Sequence, residues 1–221
     1  MVPLIKKRSR SSQPKGKNMS NLLVIEVSPR GPYSVSRNLA KRFTEKWQSS
    51  HGGDVTVRDL STTDVPYISL PWIGGAFTPP EQHSPEMVEA IRISDELIAE
   101  LKAADEILIA TPMYNFSIPA VLKSWIDHVL RVGVTFSPSY EGLVTGKKAT
   151  VIIATGGDFS PGAPFESANV ASAYLRQVLG FIGITDLNIV LAGPTLTVDQ
   201  GQATMDDFSA RFESTLEAAA S

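Results

Sequence analysis

Cysteine is absent from this 221-residue chain, which removes disulfides, thiolate metal sites and a cysteine nucleophile together. Histidine is scarce: His51, His83 and His128 are widely spaced and show no ligand pattern, so no protein-bound metal is expected. No GxGxxG follows a strand-like run, and no GxSxG occurs, which argues against a dinucleotide fingerprint and a serine nucleophile on a sharp turn. The stretch GLVTGKKAT (residues 142–150) imitates a P-loop, but its spacing is wrong, no Ser or Thr follows its first lysine, and it precedes a strand. Long apolar runs are missing too. The run at 22–27 is far too short to span a bilayer, so no membrane partner is expected and the body reads as cytoplasmic.

What is present is ordinary globular material, 43% hydrophobic and 19% charged, enough for one sizeable α/β core. The charge is unevenly spread. Residues 1–18 carry six basic side chains and no acid, so the formal net charge of −3 resolves into +6 and −9. A body this acidic does not suit nucleic acid. Residues 1–18 read as a basic, disorder-prone extension without the apolar stretch of a signal peptide, and residues 19–221 as a single domain.

Five short apolar runs, at 22–27, 55–58, 107–111, 149–154 and 187–191, read as buried parallel strands, each followed by a helical pattern. Leu39, Phe43 and Trp47 lie at i, i+4 and i+8, with Ala40 beside them, which puts one apolar stripe against a sheet. Ser84 and Pro85 make a good start for a helix to about residue 104, and further helices are expected near 118–132, 165–182 and 202–219. The segment 60–83, rich in Pro, Gly and aromatics, has neither period and reads as a long irregular wall or interface arm. Alternation of this kind predicts an α/β fold: a flavodoxin-like five-stranded parallel sheet, order 2-1-3-4-5, with helices on both faces.

On such a sheet, ligands bind beyond the carboxyl ends of the strands where strand order reverses. Three unusual loops follow strands one, three and four, and that order makes these strands neighbours. In the first loop, Ser34 and Ser36 offer hydroxyls and the following helix offers free N–H groups. Lacking a P-loop lysine, this loop suits a monophosphate, although Ser36 could equally serve only as the helix cap. In the second, Pro112 and Pro119 stiffen a stretch carrying Met113, Tyr114, Asn115 and Phe116, fit to form a wall for a flat ring with polar edges, or else core at a strand end. In the third, Gly156 and Gly157 permit close backbone approach or simply a turn. A heterocycle bearing one phosphate on this sheet suggests FMN.

The stretches Pro112-Met-Tyr-Asn-Phe-Ser-Ile-Pro119, Gly133-Val-Thr-Phe136, Glu141-Gly-Leu-Val-Thr-Gly-Lys-Lys148 and Leu179-Gly-Phe-Ile-Gly-Ile184 resemble the bacterial FMN-dependent NADH azoreductases, which are also NADH:quinone oxidoreductases. The resemblance covers about residues 20–220. It implies a homodimer with one FMN per subunit near the subunit interface, and two-electron ping-pong transfer from NADH to quinones or azo compounds. Ser28 and Ser34, Val35 and Ser36 match the family's phosphate-binding residues. Met113, Tyr114, Asn115 and Phe116 match its ring-side loop, and Ala154, Thr155, Gly156 and Gly157 its second ring-side loop. Phe136 and Phe181 match positions that shape the substrate pocket. No side chain is expected to be catalytic in its own right. The first loop departs from the pattern by adding Arg30 and two prolines, and the fourth-strand loop reads Ala-Thr-Gly-Gly where some relatives have Ser-Arg-Gly-Gly. The alternative is a flavodoxin-type electron carrier with no substrate turnover, which would lack a covered pocket for organic substrates.

Overall fold

The computed structural model describes residues 20–221, and the basic extension expected over 1–18 lies outside them. Five strands, β1 (Asn21–Glu26), β2 (Asp54–Asp59), β3 (Glu106–Pro112), β4 (Lys148–Ala154) and β5 (Asp186–Ala192), form one sheet in the order β2-β1-β3-β4-β5. Every neighbouring pair is parallel, with Leu22 opposite both Val55 and Glu106, and Pro112 opposite Ala154. The expected order therefore stands, and it makes β1, β3 and β4 adjacent.

Alternation along the strands divides the core in two. Leu23, Ile25, Ile107, Ile109, Val151 and Ile153 point to the face covered by α3 (Pro85–Ala103), α4 (Ala120–Val129) and α5 (Val170–Phe181). Leu22, Val24, Leu108, Ala110, Ile152 and Val190 point to the other face. There they meet Leu39, Phe43 and Trp47 of α1 (Val35–His51), together with Phe208 of α7 (Met205–Ala210) and Leu216 of α8 (Glu213–Ala219). Both faces are thus buried, which is why the central strands read as continuous apolar runs.

Several boundaries differ from the expectation. The segment 60–83 contains α2 (Leu70–Phe77) and a 3-10 turn at Pro80–Gln82. Ser69 caps α2 by accepting from the Trp72 N–H, and Gly75 lets the helix lie on α3: a Cβ there would fall 2.6 Å from Ile91 Cγ2. Two central glycines hide so short a helix from any propensity argument. α4 begins only after Pro119, whose ψ of 151° is extended. α5 begins at Val170, where the Asn169 side chain accepts from the Ser172 N–H. The last expected helix is broken at Arg211 and Phe212 by i→i+3 bonds to Phe208 and Ser209, and a four-residue helix α6 (Leu196–Asp199) precedes it.

His128, on α4, is fully buried. Its Nε2–H donates to the Pro66 carbonyl at 2.8 Å, and Trp72 meets its ring edge-on at 5.7 Å. It anchors the segment before α2 to α4. Residues 142–147 lead irregularly into β4, and Lys147 Nζ donates to the carbonyls of Lys102 (2.9 Å) and Ala104 at the end of α3.

Candidate functional site

The chain leaves β1 through Val27 and Ser28 and turns at Gly31, whose φ of 52° favours glycine. A 3-10 turn at Gly31–Tyr33 then delivers it to α1. Ser34, rather than Ser36, caps α1: its Oγ accepts from the Arg37 N–H at 3.3 Å. Ser36 lies in the first turn, with its Oγ 3.1 Å from that of Ser34. The N–H groups of Val35 and Ser36 stand where a helix offers no internal acceptor. Ser28, Ser34 and Ser36 are all buried, so this end of the site is a cluster of neutral donors at a positive helix pole.

Arg37 holds the loop in place. Its Nε donates to the Ser28 carbonyl at 2.7 Å, Nη2 to Asp59 Oδ1 at 2.6 Å, and Nη1 pairs with Glu26. Burial raises the Glu26 carboxyl above its ordinary value, with Arg37 opposing it. For Asp59, burial pushes the same way but is overcome by hydrogen bonds from Arg37 and Ser61, which leave its carboxyl below its ordinary value.

The loop after β3 makes a tight hairpin. Tyr114 and Ser117 exchange backbone hydrogen bonds of 2.9 and 3.0 Å, and Asn115 and Phe116 between them have φ of 49° and 72°. Two positive φ values in succession define a type I′ turn, comfortable for asparagine and strained for phenylalanine by about 1–2 kcal/mol. Such a turn aims the N–H groups of Asn115 and Phe116 outward. The strain is held by the Ala171 N–H donating to the Phe116 carbonyl at 3.1 Å and by Phe159, edge-on to the Phe116 ring at 6.2 Å. Tyr114 and Phe116 are 42% and 52% exposed, so neither is core.

After β4, Thr155 turns inward, donating from Oγ1 to the Gly157 carbonyl at 2.9 Å, while its backbone joins Ala192 and Thr195. This pins the β4 loop to the segment after β5.

These loops enclose one cavity of about 170 Å³, bringing together Ser28, Ser34, Val35, Ser36, Met113, Tyr114, Ala154 and Gly156. Asn115 and Phe116 form the tip of the β3 loop outside its lining, and Thr155 and Gly157 turn away from it. Arg30, Pro112, Thr195 and Asp199 also line it. The last two come from the strand-end loop that sequence reasoning passed over. The rule that ligands sit beyond carboxyl strand ends applies to β5 as well, and Gly193-Pro194 marks a turn there. Arg30 and Asp199 form a two-point ion pair across the cavity, 2.6 Å from Nη2 to Oδ1 and 3.3 Å from Nη1 to Oδ2.

Phe136 and Phe181 are not brought to this cavity. Their rings lie 4.8 Å apart with Tyr140 stacked on Phe136. Phe136 bridges to Gly142, which packs on Gly183 just ahead of β5. The cluster therefore sits where the strands begin, about 20 Å of strand from where they end.

The lining fits a cofactor with an anionic tail and a flat head: hydroxyls and a helix N-terminus at one end, Met113, Tyr114, Ala154 and Gly156 at the other. At Gly156 an added Cβ would fill space now bounded only by Leu196 at 3.7 Å. The model of the flavodoxin-like fold family matches residues 20–216. An FMN-dependent NADH:quinone oxidoreductase of Jannaschia sp. (strain CCS1) is 49% identical over 91% of this chain and all of its own length. Another from Burkholderia lata is 45% identical over 91% of this chain and 97% of its own. Among solved structures, an azoreductase from Bacillus anthracis superposes with a TM-score of 0.78 at 25% identity, covering 90% of this chain and 100% of that one.

Proposed function

The chain belongs to the flavodoxin-like family, and from that premise we propose that it is an FMN-dependent oxidoreductase passing two electrons from NADH to quinones and azo compounds. The observation that carries this reading is the convergence of the loops after β1, β3 and β4 on one cavity, with phosphate-type donors at one end and Met113, Tyr114, Ala154 and Gly156 at the other. FMN held here would supply two-electron redox chemistry between NADH and the acceptor. The protein supplies binding and orientation. Ser28, Ser34, Ser36 and the first N–H groups of α1 hold the phosphate. Met113 and Tyr114 on one side and Ala154 and Gly156 on the other would flank the ring. The outward N–H groups of Asn115 and Phe116 favour negative charge on the polar edge of the ring without reorganising, because the turn already points them. No side chain is needed as an acid or base, and Thr155 serves by shaping its loop.

The active form is a homodimer. Phe136 and Phe181 lie at the far end of their own sheet, so they can roof a flavin only by reaching the site of a second copy. α2 presents an apolar ridge for such an association: Leu70, Ile73 and Phe77 lie at i, i+3 and i+7, and Leu70 and Phe77 are 81% and 71% exposed. A cytoplasmic setting goes with the use of NADH as donor. Among the described residues no helix is long and apolar enough to cross a membrane.

Steady-state turnover tests the reading. With FMN-loaded protein, initial rates at several fixed NADH concentrations and varied quinone should give parallel double-reciprocal lines, because donor and acceptor use one site in turn. Absence of quinone-dependent NADH oxidation would leave the protein a carrier.

A further inference from the structure

The cavity holds charge at one place only. Of the described residues lining it, Arg30 is the one cation and Asp199 the one anion, and they are bound to each other. Their elements are unrelated in sequence: Arg30 stands in the loop after β1, Asp199 ends α6 beyond β5. The pair thus spans the cavity between the serine cluster and the last strand-end loop. It is not a structural necessity, since both side chains are partly exposed, 45% and 34%, and exposed pairs contribute little to stability. Its position has another consequence. All remaining donors for a phosphate here are neutral hydroxyls and N–H groups, while a phosphate monoester near neutral pH carries about −1.5 to −2 charges. A dianion entering this cavity meets Asp199 as a like charge and Arg30 as its one opposite charge. The guanidinium has five donors, of which Asp199 takes two, so Arg30 can turn to a phosphate from where it stands.

We propose that Arg30 is the residue by which this site selects a phosphorylated flavin over an unphosphorylated one, and that Asp199 holds Arg30 at the cavity mouth and competes with the phosphate for it. The inference rests on the FMN reading above. Asp199 keeps Arg30 ordered and neutralised until the phosphate takes its place as the anion on the guanidinium. The discrimination is electrostatic, so it falls with rising salt.

Equilibrium titration of the full chain with FMN and, separately, with riboflavin tests this through flavin fluorescence, at low and at high salt. Arg30→Met should weaken FMN about tenfold, in line with loss of one partly exposed charge-assisted contact, and leave riboflavin unchanged. Asp199→Asn should tighten FMN severalfold, again without effect on riboflavin. The salt dependence of FMN binding should be shallower in Arg30→Met than in the unsubstituted chain. If Arg30→Met weakens both flavins alike, or if Asp199→Asn loosens FMN, the pair is a staple between loops and the proposal fails. Unchanged FMN affinity in Arg30→Met overturns it as well. These results differ from failure of the function itself, in which the unsubstituted chain would not bind FMN at all.

Discussion

At the scale of single residues, the site separates binding from folding. Gly156 has ordinary backbone geometry and an open side toward the cavity, so Gly156→Val should fold normally yet weaken FMN about ten- to a hundredfold by overfilling the space for the ring. Ser36→Ala removes one hydroxyl from the phosphate end. It should raise the FMN dissociation constant by about tenfold, the usual loss for a hydrogen bond to a charged group. Both are read by titration of flavin fluorescence against thermal melting of the cofactor-free protein. His128 gives a different kind of prediction. Burial holds its imidazolium below the ordinary value, against the hydrogen bond to Pro66 and the charge of Asp127. The unfolded chain therefore takes up a proton as pH falls through about 6.5, before the folded protein does. The stability due to neutral His128 is whole above that pH and is lost below it. His128→Phe should melt lower than the unsubstituted chain at pH 8 and show a shallower loss between pH 6.5 and 5. An unchanged acid slope would contradict the assignment.

Elements depend on a few such residues, and Arg37 is the clearest case. It joins the ends of β1 and β2 to the loop that carries Ser28, through Glu26, Asp59 and the Ser28 carbonyl. Arg37→Met leaves two carboxylates facing each other and should destabilise the fold by about 3 kcal/mol, measured by urea unfolding. It should also weaken FMN binding, since the loop loses its anchor. A loss of stability with no change in FMN affinity would mean that the loop holds its own shape. The strands and α1 were legible in the sequence because both faces of this sheet are apolar and Leu39, Phe43 and Trp47 keep helical spacing. α2 was not, because Gly74 and Gly75 serve contact with α3 rather than propensity. The first and second site loops were legible from their serines, prolines and misplaced aromatics. Thr195 and Asp199 were not, because no residue type in that loop advertises a ligand until Arg30 is seen across from it. Nor does sequence show that Thr155 points inward, since that depends on its bond to Gly157.

For the whole molecule, Phe136 and Phe181 lie apart from the cavity, and the proposed dimer would bring those of a second copy to it. Phe77→Asp on the exposed ridge of α2 should shift the protein from dimer to monomer by sedimentation, with FMN affinity changed less than quinone turnover. A variant that stays dimeric with full turnover would place the interface elsewhere. Whether these loops hold a flavin that cycles between NADH and an organic acceptor is read from one spectrum followed through two additions. FMN-loaded, desalted protein under anaerobic conditions should lose its yellow absorbance with one equivalent of NADH and regain it fully with one equivalent of quinone. Protein that keeps its colour after NADH, or that cannot retain FMN, would not be an FMN-dependent NADH:acceptor oxidoreductase.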